Sequence, residues 1–462
     1  MNSIRFGTDG WRGAYQRSFT PQNVVRAATA AAQAFAHKNP RGTLYVGYGA
    51  RPQSKQLAEF AAAAAAGTGL DVALADAPCP APALGWTISQ DPNALGGFML
   101  TSSHNLPGQG CFKLRMADGG TCLREFTDAV ELQVRNAETP GAGPVRAFDA
   151  TSDYLAHLKC LVDVEAIRAA RLKVVVDPMH GAAKGHLARL LRELGVEVAE
   201  IDNSPLPSDD GQWPEMVSPW TDSCKNVVVQ SAACMGILCD GDGDRVGACD
   251  ERGTLLGAHK IIALILESLV RSGKTGRVVT PFSGSALVRR QAARLGCPVT
   301  ETSIGFKWIH GEMLKGDVLL GGEEFGGIAI PSHLCERDGF YVALLLCELM
   351  AKAGTRLSGL VEQLEAQIGY MEYERRDIRL DAVSLQMFLN ILPGLNPKLV
   401  AGMQPVEVSH KDGLRLGFAD GSWLLVRPSG TEPVMRVYAE APTANERDAL
   451  LDAGCALIEE GI

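Results

Sequence analysis

Several features are missing from this chain, and each absence removes a class of function. Its twelve cysteines include no Cys-x-x-Cys pair and no zinc-like spacing, so neither a redox dithiol nor a zinc module is expected. Singly scattered thiols such as Cys239 and Cys347 stand in apolar stretches, which predicts buried, reduced cysteines. No apolar run is long enough for a bilayer; residues 261–266 and 342–346 are among the longest, so no membrane association is expected. An excess of basic charge is also lacking. The net charge of −9 argues against nucleic acid or anionic lipid as partner, and an anionic substrate must then be held by local clusters of Arg and Lys. Residues 1–12 show no basic segment followed by an apolar one, so a cytoplasmic protein is expected. No low-complexity tract or charge block interrupts the chain.

What is present is a repeated pattern. With 462 residues, 46% hydrophobic and 21% charged, the chain has the make-up of a globular protein of two to four domains. A buried strand at 44–48, an Ala-rich helix over 56–66 and a second strand at 71–75 form one strand–helix–strand unit. The same order returns at 173–177, 183–194 and 196–201, and again at 277–281, 285–295 and 298–302. After each unit a further apolar strand runs into an unusual loop. These are Thr101-Ser102-Ser103-His104-Asn105, Asp240-Gly241-Asp242-Gly243-Asp244-Arg245, and Gly321-Gly322-Glu323-Glu324-Phe325-Gly326-Gly327. Ligands in α/β sheets bind beyond the carboxyl ends of strands, so each similar domain would place one functional loop at that edge. From about Tyr370 short strands alternate with helices over 383–391 and 445–459, which predicts a smaller α+β domain.

Each loop suits a different chemistry. Ser103 offers a hydroxyl beside His104 and Asn105, although a serine in a polar turn is commonly a cap, and no G-x-S-x-G elbow surrounds it. Lys113 is either a surface lysine or, if desolvated near the nucleophile, a proton-transfer group. The alternating carboxylates of Asp240, Asp242 and Asp244 suit a hard divalent cation that takes a further oxygen from phosphate. A solvated acidic turn is the alternative; an EF-hand, which Glu251 at the twelfth position suggests, is excluded because Arg245 stands where that loop needs glycine. In Arg427-Pro428-Ser429-Gly430-Thr431-Glu432-Pro433, an arginine fork, two hydroxyls and the N–H groups around Gly430 suit a phosphate, unless the segment is a plain turn. Glu323 and Glu324 suit sugar hydroxyls, with a surface turn as the alternative. Nucleophile, metal and phosphate cradle together point to phosphoryl transfer.

With these motifs in this order, the chain resembles the α-D-phosphohexomutase family over essentially its full length. The resemblance implies three similar α/β domains with mixed sheets, followed by the α+β domain, around a central cleft. The expected segments are 1–148 with the phosphoserine loop, 149–252 with the metal loop, 253–370 with the sugar loop and 371–462 with the phosphate loop. Ser103 would carry the phosphoryl group, and Asp240, Asp242 and Asp244 would bind Mg²⁺ with a phosphoserine oxygen in the shell. Arg12, His104 and Lys113 match catalytic residues around it. Arg245, Lys307, Glu323, His333, Arg337, Arg427, Ser429, Gly430, Thr431 and Arg436 match the substrate-binding set. A hexose phosphate would be the substrate, a hexose 1,6-bisphosphate the intermediate and activator, and a monomer or weak homodimer the working form. Glutamate after Gly321-Gly322 favours glucose phosphates, with mannose phosphates or dual use next. A non-catalytic sugar-phosphate-binding protein is disfavoured by the intact loops. The sequence departs from the family at Leu106, at Gly110-Cys111 where Asn-Gly is usual, and at Phe325 where serine is usual.

Overall fold

The computed structural model describes residues 4–37, 41–103, 105, 108–135, 141–204, 215–429 and 434–460. The first sheet contains β1 (Trp11–Ala14), β2 (Thr43–Tyr48), β3 (Asp71–Ala75), β4 (Ala94–Thr101), β5 (Gln109–Met116) and β6 (Arg146–Phe148), in the order β1-β5-β4-β2-β3-β6. The second contains β7 (Lys173–Asp177), β8 (Glu197–Glu200), β9 (Met235–Cys239), β10 (Val246–Asp250) and β11 (Leu255–Leu256), in the order β11-β10-β9-β7-β8. The third contains β12 (Arg277–Pro281), β13 (Val299–Thr302), β14 (Val318–Gly322) and β15 (Ile328–Ala329), in the order β13-β12-β14-β15. All three are mixed, because β5, β10 and β15 run antiparallel to β4, β9 and β14. The fourth sheet is fully antiparallel: β16 (Glu372–Arg379), β17 (Glu407–Ser409), β18 (Leu414–Gly417), β19 (Trp423–Pro428) and β20 (Val434–Ala441), in the order β16-β20-β19-β18-β17.

The three mixed sheets share one winding. The chain leaves the first strand for a neighbour on one side and returns across it to a strand on the other. The winding therefore reverses between β2 and β4, between β7 and β9, and between β12 and β14. At such a reversal the two outgoing loops diverge and leave a crevice beyond the strand ends. Ser103, Asp240 and Glu323 each follow the strand on the far side of that crevice, as the repeat predicts.

Local chemistry accounts for the helices that frame these sheets. Helix Pro21–Ala36 opens with proline in its first turn and with the Thr20 hydroxyl accepting from the Asn23 N–H. Its alanines are largely buried beside those of helix Pro52–Ala66, where small side chains let two helix backbones approach closely. Helix Gly339–Ala353 is buried on nearly every face, and its apolar residues join one continuous core running from the second sheet into the third. The second and third domains are thus packed more intimately than separate units would be. The seam expected at residue 252 cuts a hairpin, since β11 at Leu255–Leu256 still pairs with β10. The helix expected from 183 starts only at His186, because Gly185 takes a positive φ of 72° and interrupts the helical backbone. All twelve cysteines are free, and only Cys160 is fully exposed. Among the described residues, no helix is long and apolar enough to cross a membrane.

Candidate active site

Ser103 stands at the end of β4 with a left-handed backbone, φ 48°, and is 3% exposed. A serine in that conformation is uncommon and is maintained only where its surroundings fix it. Here the Thr101 hydroxyl accepts the Ser103 N–H at 3.0 Å and itself donates to Asp242. The serine loop is therefore tied to the aspartate loop of the next domain. Gly241 completes the contact: a Cβ there would meet the Ser103 carbonyl oxygen at 2.5 Å, so only glycine fits. His104 lies outside the described residues.

Asp240, Asp242 and Asp244 are all buried. Among the described residues, Asp240 Oδ2 and Asp244 Oδ1 have no hydrogen-bond partner, and Asp242 Oδ2 has its ion pair with Lys113 at 2.7 Å. Burial, followed by the neighbouring Asp244 and Asp242, pushes Asp240 up to about 8. Burial opposes ionisation of Asp244 too, but Arg337 and Lys113 outweigh it and hold Asp244 down at about 2. Orphaned carboxylate oxygens and surplus negative charge fit a divalent cation. Among the described residues no three His, Cys, Asp or Glu side chains are grouped to hold a metal ion as they stand, and the Lys113 ammonium lies beside Asp242, Asp244 and Asp9 at 2.7, 3.2 and 2.9 Å. Burial alone would lower the Lys113 pKa, yet these carboxylates raise it above its ordinary value. Lys113 is desolvated, as one of the two readings required, but it is held as an ammonium rather than poised to give up its proton. The EF-hand reading fails on geometry as well as sequence, because Glu251 accepts the Ser358 hydroxyl at 2.5 Å.

Arg337 occupies a different place from the one expected of a substrate contact. It is 1% exposed, with Nη2 at 2.7 Å from Asp9 and 3.0 Å from Asp244, Nε at 2.9 Å from Glu336, and Nη1 at 3.8 Å from Glu323. Its guanidinium lies over Phe306, and a Cβ on Gly327 would strike its Cδ at 2.5 Å. Arg337 is a buried strut between the metal loop and the sugar loop. Arg115, fully buried, extends the network to Asp9 at 3.5 Å and Glu336 at 3.3 Å. Sequence alone does not single out Asp9, Arg115 and Glu336, although Asp9 lies in the Gly7–Gly13 motif that carries Arg12. Burial raises Glu323 to about 7, with Arg337 opposing and Glu324 adding to the shift.

His333 is engaged within the protein as well. Its Nε2 lies 2.8 Å from Asp338 and its Nδ1 lies 3.1 Å from His157 Nε2, with the ring packed against Tyr154 and Tyr341. Both nitrogens are committed to packing between domains, so neither is left for a sugar or a phosphate.

The remaining residues come from several sides. Arg12 projects from β1 opposite Cys111 of β5. Lys307 lies in the first turn of helix Phe306–Met313, and burial lowers its pKa. Arg427 on β19 faces Arg436 on β20 in register, with its Nε 3.4 Å from Asp412 Oδ1. Asp412 Oδ2 accepts the Ile304 N–H at 2.8 Å, so the same carboxylate links the arginine pair to the loop before Lys307. Ser429 N–H donates to the Val434 carbonyl at 2.8 Å; Gly430 and Thr431 lie outside the described residues.

Phe325 lies between two guanidiniums, Arg245 at 5.8 Å and Arg375 at 4.6 Å from its ring centre. It lines a cavity of about 440 Å³ at the junction of the second, third and fourth domains. Phe325→Ser is expected to lower unfolding stability by about 1–3 kcal/mol through two lost cation–π contacts and, if the proposed sugar use holds, to change the ratio of activities on paired hexose phosphates such as those of glucose and mannose. Thermal unfolding and paired assays check both; an unchanged ratio shows that the ring does not influence the sugar.

A strand-end hydroxyl, three buried carboxylates and an arginine pair gathered from separate sheets define an enzyme of phosphoryl transfer. Comparison with known proteins carries this further. The family models for phosphoglucomutase/phosphomannomutase α/β/α domains I, II and III match residues 3–140, 152–253 and 258–368, and the model for the C-terminal domain matches 394–455. A phosphoglucomutase/phosphomannomutase of Thermococcus kodakarensis is 30% identical, covering 99% of both chains. A phosphoglucosamine mutase of Carboxydothermus hydrogenoformans is 29% identical over 98% of this chain and 99% of its own. A crystal structure described as a putative phosphomannomutase from Thermus thermophilus superposes with a TM-score of 0.88 at 32% identity, covering 99% of both chains. The chain belongs to the phosphoglucomutase/phosphomannomutase family of the α-D-phosphohexomutase superfamily, and it is an intramolecular phosphotransferase.

Proposed function

We propose that the protein interconverts hexose 1-phosphates and hexose 6-phosphates through a phosphoserine at Ser103, with glucose phosphates preferred and mannose phosphates next. The observation that carries this is the joining of the Ser103 loop to the Asp240 loop through Thr101, Asp242 and Gly241. Phosphorylated Ser103 gives its phosphoryl group to the free hydroxyl of the bound monophosphate: the Ser103 Oγ–P bond breaks as the new ester forms, and the hydroxyl's proton ends on Ser103 Oγ, to be returned in the second transfer. The bisphosphate turns over in the cleft, and its other phosphoryl group returns to Ser103 Oγ. Lys113 and Arg337 keep positive charge beside the carboxylates, while Glu323 accepts hydrogen bonds from the sugar ring. Asp240, Asp242 and Asp244 would hold Mg²⁺, which draws charge from the transferring group.

Arg427 would hold whichever phosphate is not reacting. Arg427→Ala is expected to raise KM and lower kcat for both monophosphates, losing about 2–4 kcal/mol in kcat/KM, because remote binding energy positions the reacting end. Steady-state kinetics in both directions check this; unchanged KM values contradict a shared cradle. The function is tested by incubating the protein with Mg²⁺, glucose 1,6-bisphosphate and the 1-phosphates of glucose, mannose and glucosamine in turn. The expected order is glucose before mannose. A dominant glucosamine product reassigns the sugar, and no product from any of the three overturns the mutase reading.

A further inference from the structure

Each winding reversal has two outgoing loops, and the loop after the third strand carries Ser103, Asp240 or Glu323. The loops after the first strands, β2 and β7, converge on Ser103. Tyr48 of β2 is in register with Leu100 of β4, so Arg51 and Ser103 stand at equivalent steps beyond that pair. Asp177 of β7 is in register with Leu238 of β9, which places His180 and Gly241 at the equivalent step in the second domain. The two crevices face each other, and Arg51, Ser103, His180, Gly181 and Gly241 line one small pocket.

That pocket has room of about 10 Å³, enough for a single water or one oxygen atom of a larger group. Its walls are unusually constrained. Met179 and His180 are consecutive left-handed residues, φ 45° and 57°, and Ser103 opposite has φ 48°. Such backbone strain gathers at functional sites and persists only where the surroundings enforce it. The enforcement is visible: a Cβ on Gly181 would lie 2.7 Å from Gly241 Cα, and the His180 N–H donates to the Asp202 carbonyl at 2.9 Å. His180 Nδ1 lies 2.8 Å from the Ser204 carbonyl oxygen, which can only accept. Nδ1 therefore donates to that carbonyl, and Nε2 is the nitrogen left for the pocket, where it would donate to a phosphoryl oxygen as an imidazolium N–H. Arg51 immediately precedes helix Pro52–Ala66, whose first turn has no side-chain cap, so the positive end of the helix backs the guanidinium.

We propose that Arg51 and His180 hold the phosphoryl group carried by Ser103. This rests on the phosphoserine reading above and adds residues that contact the enzyme's own phosphate rather than the substrate's. The pair orients the group for transfer and occupies the space from which water would otherwise hydrolyse it. In that side reaction the Ser103 Oγ–P bond breaks, the water oxygen joins phosphorus, a proton returns to Oγ, and inorganic phosphate leaves.

The test labels Ser103 with ³²P from glucose 1,6-bisphosphate in the full chain, with Ser103→Ala as blank. Transfer of label to glucose 1-phosphate is followed in a single turnover, and release of inorganic phosphate is followed without substrate. Arg51→Met is expected to slow transfer on the order of 100-fold, with Arg51→Lys recovering part of the loss and His180→Gln costing roughly 10-fold. Phosphate release should rise relative to transfer in each variant. Steady-state KM for glucose 1-phosphate should stay within about threefold, because the substrate's own phosphate is held elsewhere. Thermal unfolding checks integrity; if Arg51→Met does not fold, Arg51→Lys and His180→Gln decide. Labelled variants that transfer within about twofold of wild type, or that change KM alone, overturn the proposal while leaving the phosphoserine reading intact. Absence of label on wild-type Ser103 overturns both.

Discussion

Ser103→Ala is expected to lower turnover by roughly 10⁴-fold or more, about 5.5 kcal/mol in activation free energy. Loss of the hydroxyl removes the oxygen proposed to carry the phosphoryl group, on a residue that follows β4, lines the Arg51 pocket and is tied through its own N–H and Thr101 to Asp242. The fold should be little affected, because the strained backbone is fixed by Thr101 and by the glycine contact rather than by the hydroxyl. Alanine with positive φ adds a small cost that thermal unfolding will read. Intact mass and peptide mapping should find a phosphoryl group on Ser103 in the wild-type protein and none in the variant. Near-normal turnover in Ser103→Ala would require phosphoryl transfer without an enzyme-bound ester, and the proposed cycle would fall.

The second large effect concerns the carboxylates. Asp242→Asn replaces the carboxylate oxygen 2.7 Å from Lys113 by an amide nitrogen, keeps an oxygen able to accept from Thr101, and takes one of three charges from the metal loop. A loss in kcat of roughly 10²–10³-fold is expected, the range for removing one preorganised electrostatic contact. An independent readout is thermal: Mg²⁺ should stabilise the wild type by an amount growing as the logarithm of concentration above Kd, and should stabilise the variant much less. A variant whose midpoint follows Mg²⁺ as the wild type does would remove Asp242 from the metal set. Full activity after exhaustive chelation would remove the metal itself.

The parts legible in the sequence are those in which chemistry and local pattern coincide. Three strands at 71–75, 173–177 and 235–239 are where apolar runs place them, because strands buried on both faces are continuous and apolar. Ser103 and the three aspartates stand out because polar residues directly after such strands have few structural uses. Arg337 and His333 mislead for the opposite reason. Both lie in a polar stretch that reads as a binding loop, and what buries them is remote: Asp9 and Phe306 for one, His157 and Tyr154 for the other. Arg51 and His180 carry no sequence signal, because an arginine before a Pro-started helix and a histidine before glycine look like an ordinary cap and turn. Only strand register aligns them with Ser103 and Gly241. The start of helix His186–Glu193 differs from expectation by a few residues because Gly185 adopts a positive φ that no helix continues through.

The ion pair between Asp9 and Arg337 joins residues 328 positions apart, and between them these two also touch Lys113, Asp244 and Glu323. This separation bears on how the enzyme is made. During synthesis the first sheet can pack, with Asp9 paired to Lys113, as soon as Phe148 has emerged, but the Arg337 guanidinium that ties Asp9 to Asp244 and Glu323 arrives only with the third domain. Domains of a large chain fold largely as units and dock afterwards. Secondary structure and most buried surface would therefore be recovered on refolding before catalysis is. The nascent chain remains inert until its last α/β domain has closed on its first.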